Sequence, residues 1–511
     1  MNKQIKYGSI ITYLNIFLNL VINFALTPFM LYHLGSSEYG VYKIVQAFTG
    51  QLAIMSFGLS TVATRYVVLY NTQKKKLKKE NFLFSAYSIA IALTCGVVII
   101  GIILYCFMDK IYSQSLNAGE LRIAKQLCLV LIFNVAFSIL CDVFTGIIRA
   151  YERFVLSNLL SMFRLILRLI SIIVLLSIGV KSIGIVLTDL SITVMILLIS
   201  SLYVRVALQE KARFHCFDKK LMREIATFAL AVFLQAIVNQ VNQNLDNTIL
   251  GIMTNTAVVT VYSTALTLYT CFISLVTALS TMFAPKATKL VANGASGEEL
   301  TSFAIGPGRI QTMIALLGIL GFILLGKDFV FLWMGSGFDD VYKITLILII
   351  PAIIPLIESV TNTILDAMLK RMVRSVALIG MCVINIVASI IFINSFGYIG
   401  AAFGTALSII IGYGIIINIY LYKKIDLNIP RLFKSVFKGL LPTFLVCLLV
   451  GGILISVMPE GSIVWFVIKS ILIVAMYSVS VFIFGMNSEE KETVRKFSKE
   501  ITGHFVLIRR K

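Results

Sequence analysis

Hydrophobic residues run through the chain in long blocks separated by short polar connections. Blocks lie near 8–32, 40–70, 81–108, 123–148, 156–180, 183–207, 225–252, 257–284, 307–333, 343–368, 375–395, 398–421, 438–457 and 462–485. Each can cross about 30 Å of hydrocarbon as a helix of roughly 20 residues. The pattern predicts an all-α polytopic membrane protein with about fourteen transmembrane helices. One block departs from plain hydrophobicity: between Thr12 and Pro28, Asn15, Asn19, Asn23 and Thr27 recur at steps of four, which is one face of a helix. An amide turned to lipid tails costs roughly a few kcal/mol, so this face is predicted to line other helices or a wet cavity. The pattern returns at Gln235, Asn239 and Gln243, with Asn242 and Asp246 beside it.

That recurrence belongs to an internal repeat. Leu34-Gly35 matches Leu250-Gly251, and this offset superposes Asn19 on Gln235, Asn23 on Asn239 and Thr27 on Gln243. Further matches join Leu59–Thr61 to Leu279–Thr281, Gly146–Phe154 to Thr363–Arg371, and Ser182–Ile192 to Tyr398–Ile409. A six-helix unit is thus expected twice, as an N-terminal lobe over 1–210 and a C-terminal lobe over 211–425. Two further helices occupy 426–485, and 486–511 forms a tail. Because six is even, both copies enter from the same side, the arrangement of parallel repeats with substrate between them.

Composition agrees: 59% of the 511 residues are hydrophobic and 13% charged, with mean hydropathy +0.95. A water-soluble core and its surface could not sustain that balance. Lys3 and Lys6 precede a first block too long for a signal-peptide core, so it is read as a retained span. The net charge of +20 sorts by side. About 32 of the 44 Lys and Arg fall in alternate connections, including Lys74–Lys79, Lys211–Arg223, Lys370–Arg374, Lys423–Lys438 and the tail from Lys491, which predicts that both termini are cytoplasmic. The basic runs are therefore juxtamembrane anchors on acidic lipid, not a nucleic-acid surface. The segment 428–438 alternates apolar and basic positions and is expected along the inner interface. Eight cysteines show no metal-ligand spacing, and His33, His215 and His504 stand far apart, so neither a metal nor another cofactor is expected. The opposite connections are short, leaving no room for a catalytic domain.

Charges inside the blocks carry the candidate chemistry. Arg164 and Arg168 share a face of the fifth block, with Arg168 the deeper; Arg65 and Arg309 lie nearer block ends. Asp142, Asp189, Asp246, Glu358 and Asp366 are embedded acids. Each such group costs about 2.5–3.5 kcal/mol on insertion scales and is either an interhelical ion-pair partner or functional. Pro351 and Pro355 shortly before Glu358 predict a broken helix there. No GxxxxGK[ST] loop for ATP occurs.

The sequence LGSSEYGVYKIVQA over 34–47 resembles the LG-x-x-EYG-x-Y signature of polysaccharide-biosynthesis translocases, the O-antigen and capsule flippases, and RAYERF over 149–154 is similar to the same family. That family sits in the superfamily that also holds multidrug and toxic-compound extruders and the lipid II flippase. The resemblance implies two six-helix lobes around a V-shaped cavity bordered by the first and seventh helices, and an appended pair that in the lipid II flippase helps form a groove for the prenyl tail. It implies a non-enzymatic flippase moving undecaprenyl-diphosphate-linked sugar from inner to outer leaflet. Asn15, Asn19, Asn23, Gln235, Asn239 and Gln243 would then line the sugar path, since amides both donate and accept. Arg168, with Arg164 and Arg65, would meet the diphosphate, and Asp246 or Glu358 would couple proton or sodium. A diphosphate near −2 leaving an inside-negative cell gains about 4.6 kcal/mol per 100 mV, so membrane potential is a further energy source. A glycan polymerase is the expected protein partner. A cation-coupled multidrug antiporter of the same superfamily is the alternative; it would carry cavity acids without cavity arginines.

Overall fold

The computed structural model describes residues 3–56, 58–215, 223, 233, 244–278, 280–368, 371–459, 462–492 and 495. Every regular element among them is helical. The first six α-helices are α1 (Lys3–Leu52), α2 (Leu59–Thr72), α3 (Lys76–Tyr112), α4 (Ala118–Ala150), α5 (Phe154–Ser177) and α6 (Ser182–Leu202).

α1 looks like one 50-residue rod, but Gly35 breaks it with φ 75° and ψ 168°, a conformation side chains resist. α5 serves as a ruler for what the break does. Its 24 residues rise about 36 Å at 1.5 Å each. Asn15 Nδ2 donates to the carbonyl of Asn158 near the start of α5 (2.9 Å). Glu38 accepts from the amide (2.9 Å) and hydroxyl (2.6 Å) of Ser182, just past its other end. Tyr42 is back at mid-height, accepting from Arg168 Nη2 at 3.0 Å. The chain therefore travels the length of α5, turns at Gly35 and returns.

The turn is stapled by its own serines and acid. Thr260 Oγ1 donates to the Ser36 carbonyl (2.6 Å), and Ser37 Oγ and Thr256 Oγ1 both donate to Glu120 Oε1. Glu120 also closes the capping box of α4 with Asn117. One carboxylate thus joins three helix ends, and Glu38 joins a fourth.

The chain divides into two compact units. The first holds Met1–Leu268 with Leu378–Gly404, the second Tyr269–Ala377 with Thr405–Lys511. In the first, α4 is central, and α1, α2, α3, α5 and α6 all pack on it. At the basic end, Lys79 of the KKKLKK run turns inward to Glu210 (2.6 Å) and Asn71 (2.9 Å), so one lysine of that run holds the α3 start to the segment after α6. In the second unit the central helix is Gly297–Met334. Leu316, Ile319 and Leu320 pack there with Leu440, Phe444, Cys447, Ile473 and Tyr477 of the last two helices, Leu440–Ser456 and Ile463–Ser480. π-Helical turns occur at Tyr203–Ala207, Ile410–Ile417 and Val481–Gly485.

Eleven helices among the described residues are long and apolar enough to cross a membrane, where the sequence pattern predicts about fourteen. The two numbers part at three places in the chain. The first two blocks join into one 59-residue helical stretch, Leu14–Thr72. The block over 225–252 falls mostly outside the described residues. The block over 343–368 is cut into Asp339–Ile349, Ile353–Ile357 and Ser359–Ala367, since Pro351 and Pro355 each remove a donor and crowd the preceding turn. The amphipathic 428–438 segment is the short helix Ile429–Phe437, with Ile429, Leu432 and Val436 buried and Arg431, Lys434 and Lys438 exposed.

Close helix approach marks two glycines. A methyl group on Gly40 would collide with the Thr256 carbonyl, and one on Gly146 would stand 2.5 Å from the Ser60 carbonyl. Gly40→Ala and Gly146→Ala should each destabilise by about 1–3 kcal/mol. Gly119→Ala, with nothing within 4 Å, should not. Thermal unfolding of the three variants in detergent checks this.

Candidate functional site

The faces of α5 decide what its arginines are for. Leu159, Phe163, Ile166, Ile170, Ile173 and Val174 are exposed on one side, and Ser157, Ile172 and Leu176 are buried on the other. At 3.6 residues per turn, Arg164 and Arg168 fall on the side of the buried set. They therefore point into the protein, yet the Arg168 side chain keeps 31% of its surface accessible. An embedded cation that faces inward and is still reachable belongs to a recess, not to lipid.

Arg168 Nη2 donates to Tyr42 Oη at 3.0 Å, and Nε lies 3.2 Å from Asp189 Oδ1 on α6. Gln46 Nε2 reaches the same phenol oxygen at 3.3 Å. Arg164, one turn below, lies within electrostatic reach of Cys141, Asp142 and Asp189. The two arginines expected to act together are thus neighbours near Asp142 of α4 and Asp189 of α6, and Asp189 is the ion-pair partner of Arg168. Arg65 is exposed on α2.

The asparagine stripe flanks the same recess-forming helix. Asn15 is half-buried and bonded to α5. Asn19 and Asn23 are exposed, with Asn23 Nδ2 donating to Asn19 Oδ1 at 2.5 Å, and Thr27 Oγ1 is tied to the Asn23 carbonyl (2.8 Å). They sit on one flank of the face that Ile22 and Leu26 bury. Gln235, Asn239 and Gln243 lie outside the described residues.

The two candidate coupling acids occupy separate units. Asp246, 4% exposed, accepts from Tyr262 Oη at 2.6 Å, and Asn385 Nδ2 lies 3.5 Å from its Oδ1. Ser389 Oγ donates to Asn385 Oδ1 (2.7 Å) and lies 3.5 Å from the Ala401 carbonyl. Carboxylate, amide, hydroxyl and carbonyl oxygens therefore cluster in a buried space. Asn385, Ser389 and Tyr262 were not singled out by sequence, although Asn385 and Ser389 repeat the four-residue polar spacing that marks the first helix. Glu358 is fully buried in the second unit; Asn418 Nδ2 donates to its Oε1 (2.8 Å), while Oε2 has no hydrogen-bond partner. Beside it, Ser280, Gln311 and Ser359 close a ring of hydrogen bonds. Among the described residues no three His, Cys, Asp or Glu side chains come together as a metal site.

Arg309 has a structural task. It is 1% exposed and donates to the carbonyls of Ser435 (2.8 Å), Lys438 (2.9 Å) and Gly485 (2.7 Å), and to both oxygens of Glu490. One guanidinium so fastens the amphipathic helix and the end of the last span to the central helix. The proximity of these loops is not readable from sequence. Arg309→Met should leave Glu490 and the carbonyls of Ser435, Val436, Lys438 and Gly485 without their donor, costing about 3–5 kcal/mol. The melting temperature of the purified variant against wild type decides it.

A family model described as polysaccharide biosynthesis protein matches residues 5–289. Among solved structures, the lipid II flippase MurJ in an inward closed conformation superposes with a TM-score of 0.74 at 18% identity, covering 93% of this chain and 98% of that one. An inward-facing multidrug resistance MATE transporter of the MOP superfamily gives 0.63 at 12% identity, covering 78% and 92%. A MATE protein in its bent conformation gives 0.56 at 15%, covering 85% and 96%. At these identities the likeness concerns the fold. Comparison with curated proteins returned no match.

Proposed function

The chain belongs to the polysaccharide biosynthesis protein family, and on that premise we propose that it is a flippase for undecaprenyl-diphosphate-linked oligosaccharide, working by alternating access in a bacterial cytoplasmic membrane. The basic end is the cytoplasmic one in this reading, with both termini there. The finer architecture is fourteen spans, as a six-helix lobe over 1–210, a second over 211–425 and an appended pair over 426–485. The work is transport without catalysis, and the cargo is a surface-polysaccharide repeat unit such as O-antigen or capsule.

The observation that carries the reading is the inward-facing Arg164–Arg168 pair. A cargo whose tail stays in lipid needs protein help only for its diphosphate and sugar. Guanidinium groups offer charge-assisted, bidentate bonds to phosphate. Asp189 pairs with Arg168 when cargo is absent, so phosphate is received by exchanging one anionic partner for another. Asn15, Asn19 and Asn23, with Gln235, Asn239 and Gln243, supply neutral donors and acceptors to the sugar. A multidrug antiporter would have no use for paired cavity arginines.

Coupling is assigned to Asp246 ahead of Glu358. The Asp246 carboxylate is buried and faces the Tyr262 hydroxyl and the Asn385 amide, so uptake of a proton or sodium ion there would neutralise an embedded charge.

In a glycan-export assay, Arg168→Ala should lower transport at least about tenfold, the worth of one charge-assisted contact, with Arg168→Lys recovering part of it. Wild-type export by both variants would end the proposal, and cationic-drug efflux by the wild type would favour the antiporter. In liposomes, Asp246→Asn should abolish the dependence of transport on a sodium or proton gradient; a gradient dependence equal to wild type would remove Asp246 from that role.

A further inference from the structure

Glu358 stands at the joint between the short helices Ile353–Ile357 and Ser359–Ala367, with Pro351 and Pro355 just ahead of it. Its backbone is fully met: the amide donates to the Ile354 carbonyl (3.2 Å), and its own carbonyl accepts from the Asn362 amide (3.0 Å). The side chain is not.

Asn418 Nδ2 donates to Glu358 Oε1 at 2.8 Å and to the Gly414 carbonyl at 3.3 Å. With an acceptor on each N–H, the amide is held in this orientation and its oxygen is turned away from both. Asn418 Oδ1 is then buried without a donor, and so is Glu358 Oε2, among the described residues. Two groups already joined by one bond therefore each lack a hydrogen. One proton on Oε2 supplies it, because Oε2–H donates to Asn418 Oδ1 while Nδ2 donates to Oε1. Acid and amide then each give and accept once.

Charge leads to the same answer. Glu358 is 0% exposed, and an ionised carboxylate so placed needs a cation beside it. The charged groups on the elements packed around it are turned elsewhere. Arg309 of the central helix is bonded to Glu490, and Lys286, Lys289, Lys423 and Lys424 are exposed. Asp366, two turns along, has the same sign, and Tyr413 of the π-helical stretch is half-buried and neutral. Among the described residues only burial and the Asn418 bond bear on the acid. A bridging water would meet both oxygens and leave the charge uncompensated. Sodium is the stronger rival, since Asn362 Oδ1, one turn on, is a third buried oxygen without a donor. A hard cation gathers several oxygens, however, and here an N–H already covers Oε1. A proton needs no cavity.

We propose that Glu358 and Asn418 form a proton-binding site that is occupied in this conformation, with Glu358 a neutral acid donating to the amide. Apolar surroundings can keep a carboxylic acid in that state. The two residues ride on separate irregular segments, the proline break and the end of Ile410–Ile417, so they can part without either helix unfolding. The site rests on neither the flippase reading nor Asp246, which belongs to the other compact unit.

The test is infrared spectroscopy of the full-length protein in nanodiscs at neutral pH, in potassium and in sodium buffer. Wild type should show the carbonyl stretch of a protonated carboxylic acid in both buffers. Glu358→Gln, which puts an N–H where the acid has its O–H, should lose that band, and Asn418→Leu should move it to higher frequency by removing both hydrogen bonds. A difference spectrum between wild type and Glu358→Gln that contains only ionised carboxylate bands overturns the proposal. So does an acid band that disappears in sodium, which would make this a metal-ion site. If Glu358→Gln does not fold, wild type with isotopically labelled glutamate carboxyls still decides. The other buried glutamates among the described residues, Glu38 and Glu80, stand beside Lys181 and His215, so a labelled acid band reports Glu358 and its absence refutes the site.

Discussion

A polar group carried into hydrocarbon must be met by another polar group of the same molecule. Most of this structure can be read as answers to that demand. Asn15 meets the α5 backbone, Glu38 meets Ser182, Glu120 gathers two hydroxyls and a cap, and Arg309 collects four carbonyls and a carboxylate. These groups hold helix ends, and among them only the Asn15 amide keeps a buried oxygen without a hydrogen-bond partner among the described residues. The arginines of α5 are met differently. Their aspartate partners come from other helices, and part of the guanidinium surface stays open. The contrast between a closed set such as that of Arg309 and an open one such as that of Arg168 is what separates scaffold from site in this protein.

That the chain is a helical protein with many membrane spans was legible in the sequence because hydrophobic length and helical phase are local properties. Gly35 was visible only as part of the LGSSEYG motif, and the structure makes it a turn. It gathers the starts of α4, α6 and the helix from Thr256, which no periodicity could have announced. Arg309 looked like a marginal candidate for function because its partners lie more than a hundred residues away. The Asp246 cluster was half legible: the acid stood out in an apolar run, whereas Asn385 and Ser389 needed the fold to bring them over. Glu358 behind its prolines was recognisable as unusual, and the broken helix there fits the missing donors that proline imposes.

The proposed cargo places unequal demands on these parts. A prenyl tail asks nothing of the protein beyond a lipid-facing surface, which α5 supplies through its aliphatic side. Phosphate asks for charge that can be released again, and the aspartates beside Arg164 and Arg168 offer a resting partner of similar chemistry. Sugar asks for many weak bonds. Asn19 and Asn23 are already bonded to each other, so a hydroxyl would replace one neutral contact with another, and binding would stay reversible.

The π-helical stretch Ile410–Ile417 ends directly before Asn418, the residue that meets Glu358. A wider turn takes up more residues per revolution than an α-turn, so it resets the azimuth of everything that follows it. Asn418 points at the buried acid because of that offset. The distance from one membrane face to the other and the compass bearing of a side chain are thereby set independently, much as a vernier adjusts angle without lengthening the shaft.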